Sequence, residues 1–268
     1  MNPLRTFILS FLILPFASVA FGQHEKPADK PADEPKKEPA VKEPVKDPKA
    51  VDILKAADEA TKKIESVRYK ASFARVGGTA PSRPATEATI VASGESDSAG
   101  FKFRITAKLP AAEGGTATEF TVGSDGDTFY LVDPQKKIVY EDIDSAVMGR
   151  TGQQISRGIA MAEFTHPTPF TDEINGSGAE LQASESVGGV ECDVVHVTYA
   201  NVPQDAVWYF GKKDHLPRRV VRNSPTADGS QSKTDQIVTD LTVDPKFTDD
   251  PFKLVVPEGF TKSDDFAP

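Results

Sequence analysis

The chain has 268 residues, with 40 acidic against 31 basic side chains, one cysteine, one tryptophan, 21 prolines and 19 glycines. Its formal net charge of −9 excludes a general binder of nucleic acid or acidic membrane, because phosphate surfaces attract basic patches. A single cysteine excludes an intrachain disulfide framework and any multi-cysteine metal centre.

Arg5 opens the chain with a positive charge, and residues 6–21 are almost unbroken apolar. Small residues follow at Ala17, Ser18 and Ala20, with Gly22 before Gln23. This order predicts a cleavable signal peptide over residues 1–22, cut after Gly22 or Ala20. A membrane anchor would need roughly 20 apolar residues, whereas this run is shorter and is broken by Pro15. The mature protein is therefore expected to be periplasmic or otherwise exported, with no transmembrane segment after cleavage. The residue directly after the cut is not a cysteine, so a lipoprotein is not expected.

Residues 23–48 read as a disordered Pro/Lys/Glu-rich tether. Seven lysines and seven acids balance over residues 25–49, and prolines recur at positions 27, 31, 35, 39, 44 and 48. Proline removes backbone donors, and few side chains here could offset the entropy of ordering. The segment is a solvated spacer, or a ligand for a partner or the cell wall.

Order begins near Pro48, and residues 49–268 read as one domain. Asp47 is placed to cap a helix whose first turn holds Pro48. Ile53, Ala57, Ala60, Ile64 and Val67 predict one buried helical stripe. The period then changes to two. Val67, Tyr69, Ala71 and Phe73 alternate with polar residues, as do Ala88, Ile90 and Ala92. The clearest strand sets Phe101, Phe103, Ile105, Ala107 and Leu109 against Lys102, Arg104, Thr106 and Lys108. One apolar and one wet face describe an antiparallel sheet covered on one side.

Phe120 and Val122 lead into the Asp125-Gly126 turn. Phe129 to Val132, the Asp133-Pro134-Gln135-Lys136 turn and Ile138 to Tyr140 make another hairpin. Residues 144–163 look helical, and residues 165–178 look like a mobile loop. Hairpins follow around Gly188-Gly189 and between Ala206–Phe210 and Arg218–Arg222, with a last strand over residues 236–243. The fold class expected is mainly β (α+β). A curved antiparallel sheet forms an open half-barrel wrapped on helices.

Chemical motifs are sparse. His24, His166, His196 and His215 have no short metal-site spacing. His196 alternates with Val195 and Val197 and either faces solvent or is satisfied within the sheet. There is no Gly-x-Ser-x-Gly elbow and no Gly-Lys-Ser/Thr phosphate loop. Gly123-Ser124-Asp125-Gly126-Asp127 lacks the other calcium-loop ligands and reads as a turn. Cys192 has acids beside it and reads as a buried thiol rather than a nucleophile. Arg218, Arg219 and Arg222 form the domain's basic cluster. They are either charges guarding an edge strand or an anion or partner contact. Asn175-Gly176-Ser177 matches a short glycosylation sequon.

Three stretches together resemble the LolA-like outer-membrane lipoprotein-carrier and sorting family. They are Ile64-Glu65-Ser66-Val67-Arg68-Tyr69-Lys70-Ala71-Ser72-Phe73, then Phe120 through Tyr140 with Asp133-Pro134, then Phe252-Lys253-Leu254-Val255-Val256-Pro257-Glu258-Gly259-Phe260. Trp208-Tyr209-Phe210 with Leu216-Pro217-Arg218-Arg219 resembles a hairpin of LolA-like domains of unassigned function. The resemblance covers about residues 50–265 in compatible order. It implies a half-barrel whose apolar cavity holds acyl chains between membranes. Apolar-face candidates for that cavity are Phe73, Phe101, Phe103, Ile105, Phe120, Phe129, Leu131, Trp208 and Phe210. The family's Arg-Pro segment, due just before Phe101, is replaced by Ser98-Ala99-Gly100.

The first expectation is a non-enzymatic exported module, without cofactor or metal, that binds lipid or lipoprotein acyl chains. An envelope protein-interaction or sensing module on the same fold, with a closed core, is the alternative. A hydrolase with a scattered site is the third.

Overall fold

The structure, a computed structural model, describes residues 45–77, 85–96, 98, 100–110, 117–141, 158–200, 202–226 and 228–265. The predicted signal peptide and nearly all of the tether lie outside the described residues.

Helix α1 (Pro48–Thr61) starts as its sequence dictates. The Asp47 carboxylate accepts from the Lys49 N–H, and Pro48 occupies the first turn. Its buried stripe is Ala50, Leu54, Ala57, Asp58 and Thr61, displaced from the expected Ile53-Ala60-Ile64 line. The helix ends at Thr61, so Ile64 never shares its face, and Val67 belongs to the first strand.

The strands are β1 (Ser66–Gly77), β2 (Thr86–Ser93), β3 (Lys102–Leu109), β4 (Thr118–Ser124), β5 (Phe129–Asp133), β6 (Ile138–Glu141), β7 (Gly178–Val187), β8 (Val190–Thr198), β9 (Asp205–Gly211), β10 (Pro217–Pro225), β11 (Gln231–Val243) and β12 (Thr261–Ser263). They form one sheet in the order β12-β6-β5-β4-β3-β2-β1-β11-β10-β9-β8-β7. Two meanders, β1 to β6 and β7 to β11, join where β1 pairs antiparallel with β11. The twelve strands make an open, curved, mostly β architecture of the kind the period-two patterning predicts. Among the described strands β12 alone pairs in parallel, on the free edge of β6, and an isolated parallel bridge joins Lys46 to Ala179 of β7.

Local chemistry sets the turns. Asp125 Oδ1 accepts from the Asp127 and Thr128 N–H groups, and Gly126 takes a positive φ of 103°. Asp133 Oδ1 does the same for Gln135 and Lys136. Bends within the ladder come from bulges. The β1–β11 register shifts between Arg68 and Lys70. Opposite, Asp240 adopts φ 49°, a region that Asp tolerates better than branched residues, and it pairs with Lys70 at 2.8 Å. An extra residue on one strand increases twist and curls the sheet.

The concave face carries the main core. Val67, Tyr69, Ile90, Ile105, Val122, Leu131, Val195, Trp208, Phe210, Val220 and Val238 are buried there with Ala50, Leu54 and Ala57 of α1. Residues 158–174 cross this face as a strap, adding Ile159, Met161, Phe164 and Phe170 to the core. Two expectations are corrected here. Of the helical span expected over residues 144–163, the described part holds only a 3-10 turn, Ala162–Thr165; residues 144–157 lie outside the described residues. The expected mobile loop over residues 165–178 is a packed element with a short helix α2 (Thr171–Ile174) and a fully buried Phe170. Apolar burial of Phe170 outweighs the loop signal of the neighbouring Pro167 and Pro169.

A second, smaller cluster lies on the outer face, where Val187, Cys192, Val194, Tyr209 and Val221 pack together. Cys192 is fully buried, and burial pushes its thiol up from its ordinary pKa. Strand β10 is interior, between β9 and β11, which corrects its reading as a charge-guarded edge. Its arginines are taken by acids: Arg218 with Asp214 at 2.5 Å, Arg219 with Asp235 at 2.6 Å and Arg222 with Glu163 at 2.9 Å.

Two of the family-like motifs meet on the outer face. Tyr130 donates its O–H to the Phe252 carbonyl at 3.0 Å, and its ring lies over Gly123. A Cβ at Gly123 would overlap that ring and stand 2.7 Å from the Phe103 carbonyl oxygen. Gly123→Ala is therefore expected to destabilise the protein by about 1–3 kcal/mol through overpacking, read as a lower urea midpoint at unchanged slope. An unaltered midpoint would mean that Tyr130 does not rest on Gly123.

Candidate functional site

The nine apolar candidates all lie on the concave face, but the structure divides them. Trp208 and Phe210 are fully buried, and Ile105 and Leu131 are buried. Phe73, Phe101, Phe103, Phe120 and Phe129 are half-buried and pack against the core's margin.

The buried aromatics sit in the β7–β10 half. Trp208 and Phe210 are alternate residues of β9 and stack at 5.9 Å with an interplanar angle of 11°. Phe170 of the strap meets both edge-on, at 5.1 Å and 5.2 Å. Such edge-to-face pairs add about 0.5–1.5 kcal/mol each beyond area burial. The Arg222 guanidinium lies 5.0 Å from the Trp208 ring centre. This half of the concave face is filled.

The half-buried phenylalanines belong to the β1–β5 half. Register sets Phe103 beside Ala92 of β2 and Ser124 of β4, and Ser124 beside Phe129 of β5. Phe101 and Phe103 stack at 5.5 Å, and Phe103 meets Phe129 at 6.2 Å. One register step on, Ile90, Ile105, Val122 and Leu131 form a buried row. Beyond it Phe120 pairs with Ala107, and Phe73 packs against Gly158 at the start of the described strap. Half-exposed aromatics thus flank a smooth aliphatic floor. Nothing in this arrangement can move a proton or hold a metal; what it offers is apolar area.

A cleft of about 400 Å³ lies on the opposite face, between Lys70, Ser72, Glu87, Thr89, Thr106 and Lys108. Its lining mixes charged and hydroxyl side chains with Ala71, Ala88 and Ile237, and it lies away from the apolar candidates.

Polar groups missed in the sequence gather on the strap. Glu163 and Glu173 line a cavity of about 150 Å³ with His166 and Asp172. Glu173 accepts from the Tyr199 O–H at 2.7 Å. Burial pushes the Glu173 carboxyl above its ordinary pKa, a trend that the Glu163 charge reinforces and the Tyr199 hydrogen bond opposes. Phe164 and Phe170, flanking Pro167 and Pro169 in a supposed surface loop, were the signal that could have marked this segment as packed. Elsewhere His196 pairs with Asp205 at 3.2 Å on the outer face. No group of three or more His, Cys, Asp or Glu residues able to hold a metal occurs among the described residues. No described helix is long and apolar enough to cross a membrane.

Residues 95–263 match the model of the family described as "Predicted periplasmic protein (DUF2092)". The chain belongs to this family. That membership places it outside the cytoplasmic membrane. No curated protein matches it in sequence. Among solved structures, LprF from Mycobacterium bovis aligns with a TM-score of 0.50 and 12% identity, over 78% of this chain and all of that one. The likeness is one of fold. The lipoprotein LppX of Mycobacterium tuberculosis aligns at 0.46 and 11% identity over 76% of this chain and 100% of its own. A LolA-superfamily protein of Nitrosomonas europaea aligns at 0.35 and 13% identity, over 76% and 97%. Those two scores carry no weight of their own.

Proposed function

We propose that this periplasmic family member is a non-enzymatic module that holds an apolar ligand, an acyl chain of a lipid or lipoprotein, against the concave face of β1–β5. The observation that carries the reading is the set of five half-exposed phenylalanines around the Ile90-Ile105-Val122-Leu131 floor. The other half of the same face is sealed by Phe170. An acyl chain gains roughly 0.8 kcal/mol per buried methylene, so recognition needs apolar area more than placed polar groups.

The test is native mass spectrometry of the mature protein purified from its own envelope, followed by lipid extraction. A stoichiometric adduct of lipid mass, displaced by a competing fatty acid, is expected. A bare protein that also ignores added lipid would overturn the reading. A protein-interaction role has one observation in its favour: residues 180–186 of the edge strand β7 are exposed on both faces. Pull-downs that depend on this edge rather than on lipid would support it.

A further inference from the structure

The strap crosses the concave face outside the strand ladder, so its hold depends on a few side chains. The Tyr69 hydroxyl accepts from the Met161 N–H at 2.9 Å. Gln236 donates to the Ile159 carbonyl at 3.1 Å, and Asp58 of α1 accepts from the Phe170 N–H at 3.3 Å. Two further anchors are acidic. Arg222 donates to Glu163 Oε1 at 2.9 Å, and Tyr199 donates to Glu173 Oε1 at 2.7 Å. Glu173 is buried. The second oxygen of Glu163 is buried with no hydrogen-bond partner among the described residues. Both acids line one cavity, and Arg222 is the cation that faces them. When both are ionised, two largely buried carboxylates face one arginine, and the negative charge left over is costly.

We propose that this cluster is a proton-operated latch: uptake of one proton by Glu173, beside the Glu163 carboxylate, seats the strap on the sheet, and loss of that proton loosens it. The Tyr199 hydrogen bond survives protonation, because the carbonyl oxygen of a neutral Glu173 still accepts. The sign follows from linkage. Burial makes the folded state hold the Glu173 proton more tightly than the unfolded chain does. Stability from this group therefore rises as pH falls through its raised folded pKa, until the unfolded value near ~4.3 is reached. Facing groups are His166 and Asp172 on the strap, Asp58 with Lys62 on α1, Tyr69 on β1, Tyr199 beyond β8 and Arg222 on β10. Lys46 reaches the Ile174 carbonyl at 3.4 Å. The latch concerns the strap itself and stands whether or not an acyl chain is the ligand.

Trp208, the sole tryptophan, lies beneath Phe170 and reports on the strap directly. The experiment compares acrylamide quenching of Trp208 with hydrogen exchange of residues 158–174, using residues 205–211 as the internal standard. At about pH 8 the strap is expected to exchange at least threefold faster than at about pH 5.5, after correction for intrinsic rates, while β9 stays protected. Glu173→Gln should exchange slowly at both pH values, and His166→Gln should behave as the native chain does. Glu163→Gln should move the transition to lower pH, which tests the latch even if Glu173→Gln folds poorly. A native strap indifferent to pH, an unchanged response in Glu173→Gln, or loss of the response in His166→Gln would overturn the proposal.

Discussion

Phe170→Ala is expected to destabilise the protein by about 3–5 kcal/mol, the range for emptying an aromatic site in a packed core. Phe170 is fully buried and touches Trp208 and Phe210 edge-on. Its loss removes two ring pairs and leaves a cavity that the stacked rings cannot fill by moving, since both are held within β9. The measurement is urea unfolding followed by far-UV circular dichroism and by Trp208 emission. The midpoint should fall sharply, and the emission of the folded variant should shift to the red as water reaches the indole. Phe101→Ala, at a half-exposed position, should cost about 1 kcal/mol or less by area and leave Trp208 dark to water. Equal costs at both positions would mean that the strap does not fill the β7–β10 half.

The second expected result concerns binding. Phe103→Ala with Phe129→Ala should weaken binding of a long-chain fatty acid by about 10- to 100-fold, because each tenfold step corresponds to about 1.4 kcal/mol. The two rings meet at 6.2 Å beside the aliphatic floor and remain half-exposed, so they supply contact area without being the main support of the fold. Titration with a fluorescent fatty acid reads the change. Phe210→Leu, in the sealed half, should leave affinity within about twofold while lowering stability. If Phe210→Leu abolished binding and the Phe103/Phe129 pair did not, the ligand would lie under the strap instead of beside it. No binding by the native chain would remove the ligand reading altogether while leaving the proton latch testable.

These expectations differ in how much of their basis is visible before folding. Asp47-Pro48 marks the start of α1 because a cap is a contact between near neighbours. Asp125-Gly126, Asp133-Pro134 and Gly188-Gly189 mark turns because φ preferences and side-chain-to-backbone bonds act within four residues. The alternation in β3 separates a wet from an apolar face because strand geometry has a period of two. The open antiparallel sheet follows from these local signals, and so does the concave location of all nine apolar candidates.

Depth is another matter, since it depends on what arrives from elsewhere in the chain. Nothing near Trp208 or Phe210 in sequence says that Phe170 will cover them, nor that Phe103 and Phe129 will be only half-buried. The arginines of β10 look like an edge defence until β11 pairs beside them and Asp214, Asp235 and Glu163 are brought within reach. Residues 165–178 carry the composition of a loop, because prolines and glycines report local stiffness and freedom but not distant burial. Glu163 and Glu173 are ordinary surface acids by sequence. They become a desolvated pair because the strap crosses the sheet and sets both against one arginine. Local preferences were thus settled by the sequence alone, whereas burial, charge pairing and the division of the concave face into a half covered by Phe170 and a half with half-buried phenylalanines among the described residues arose only when distant segments packed.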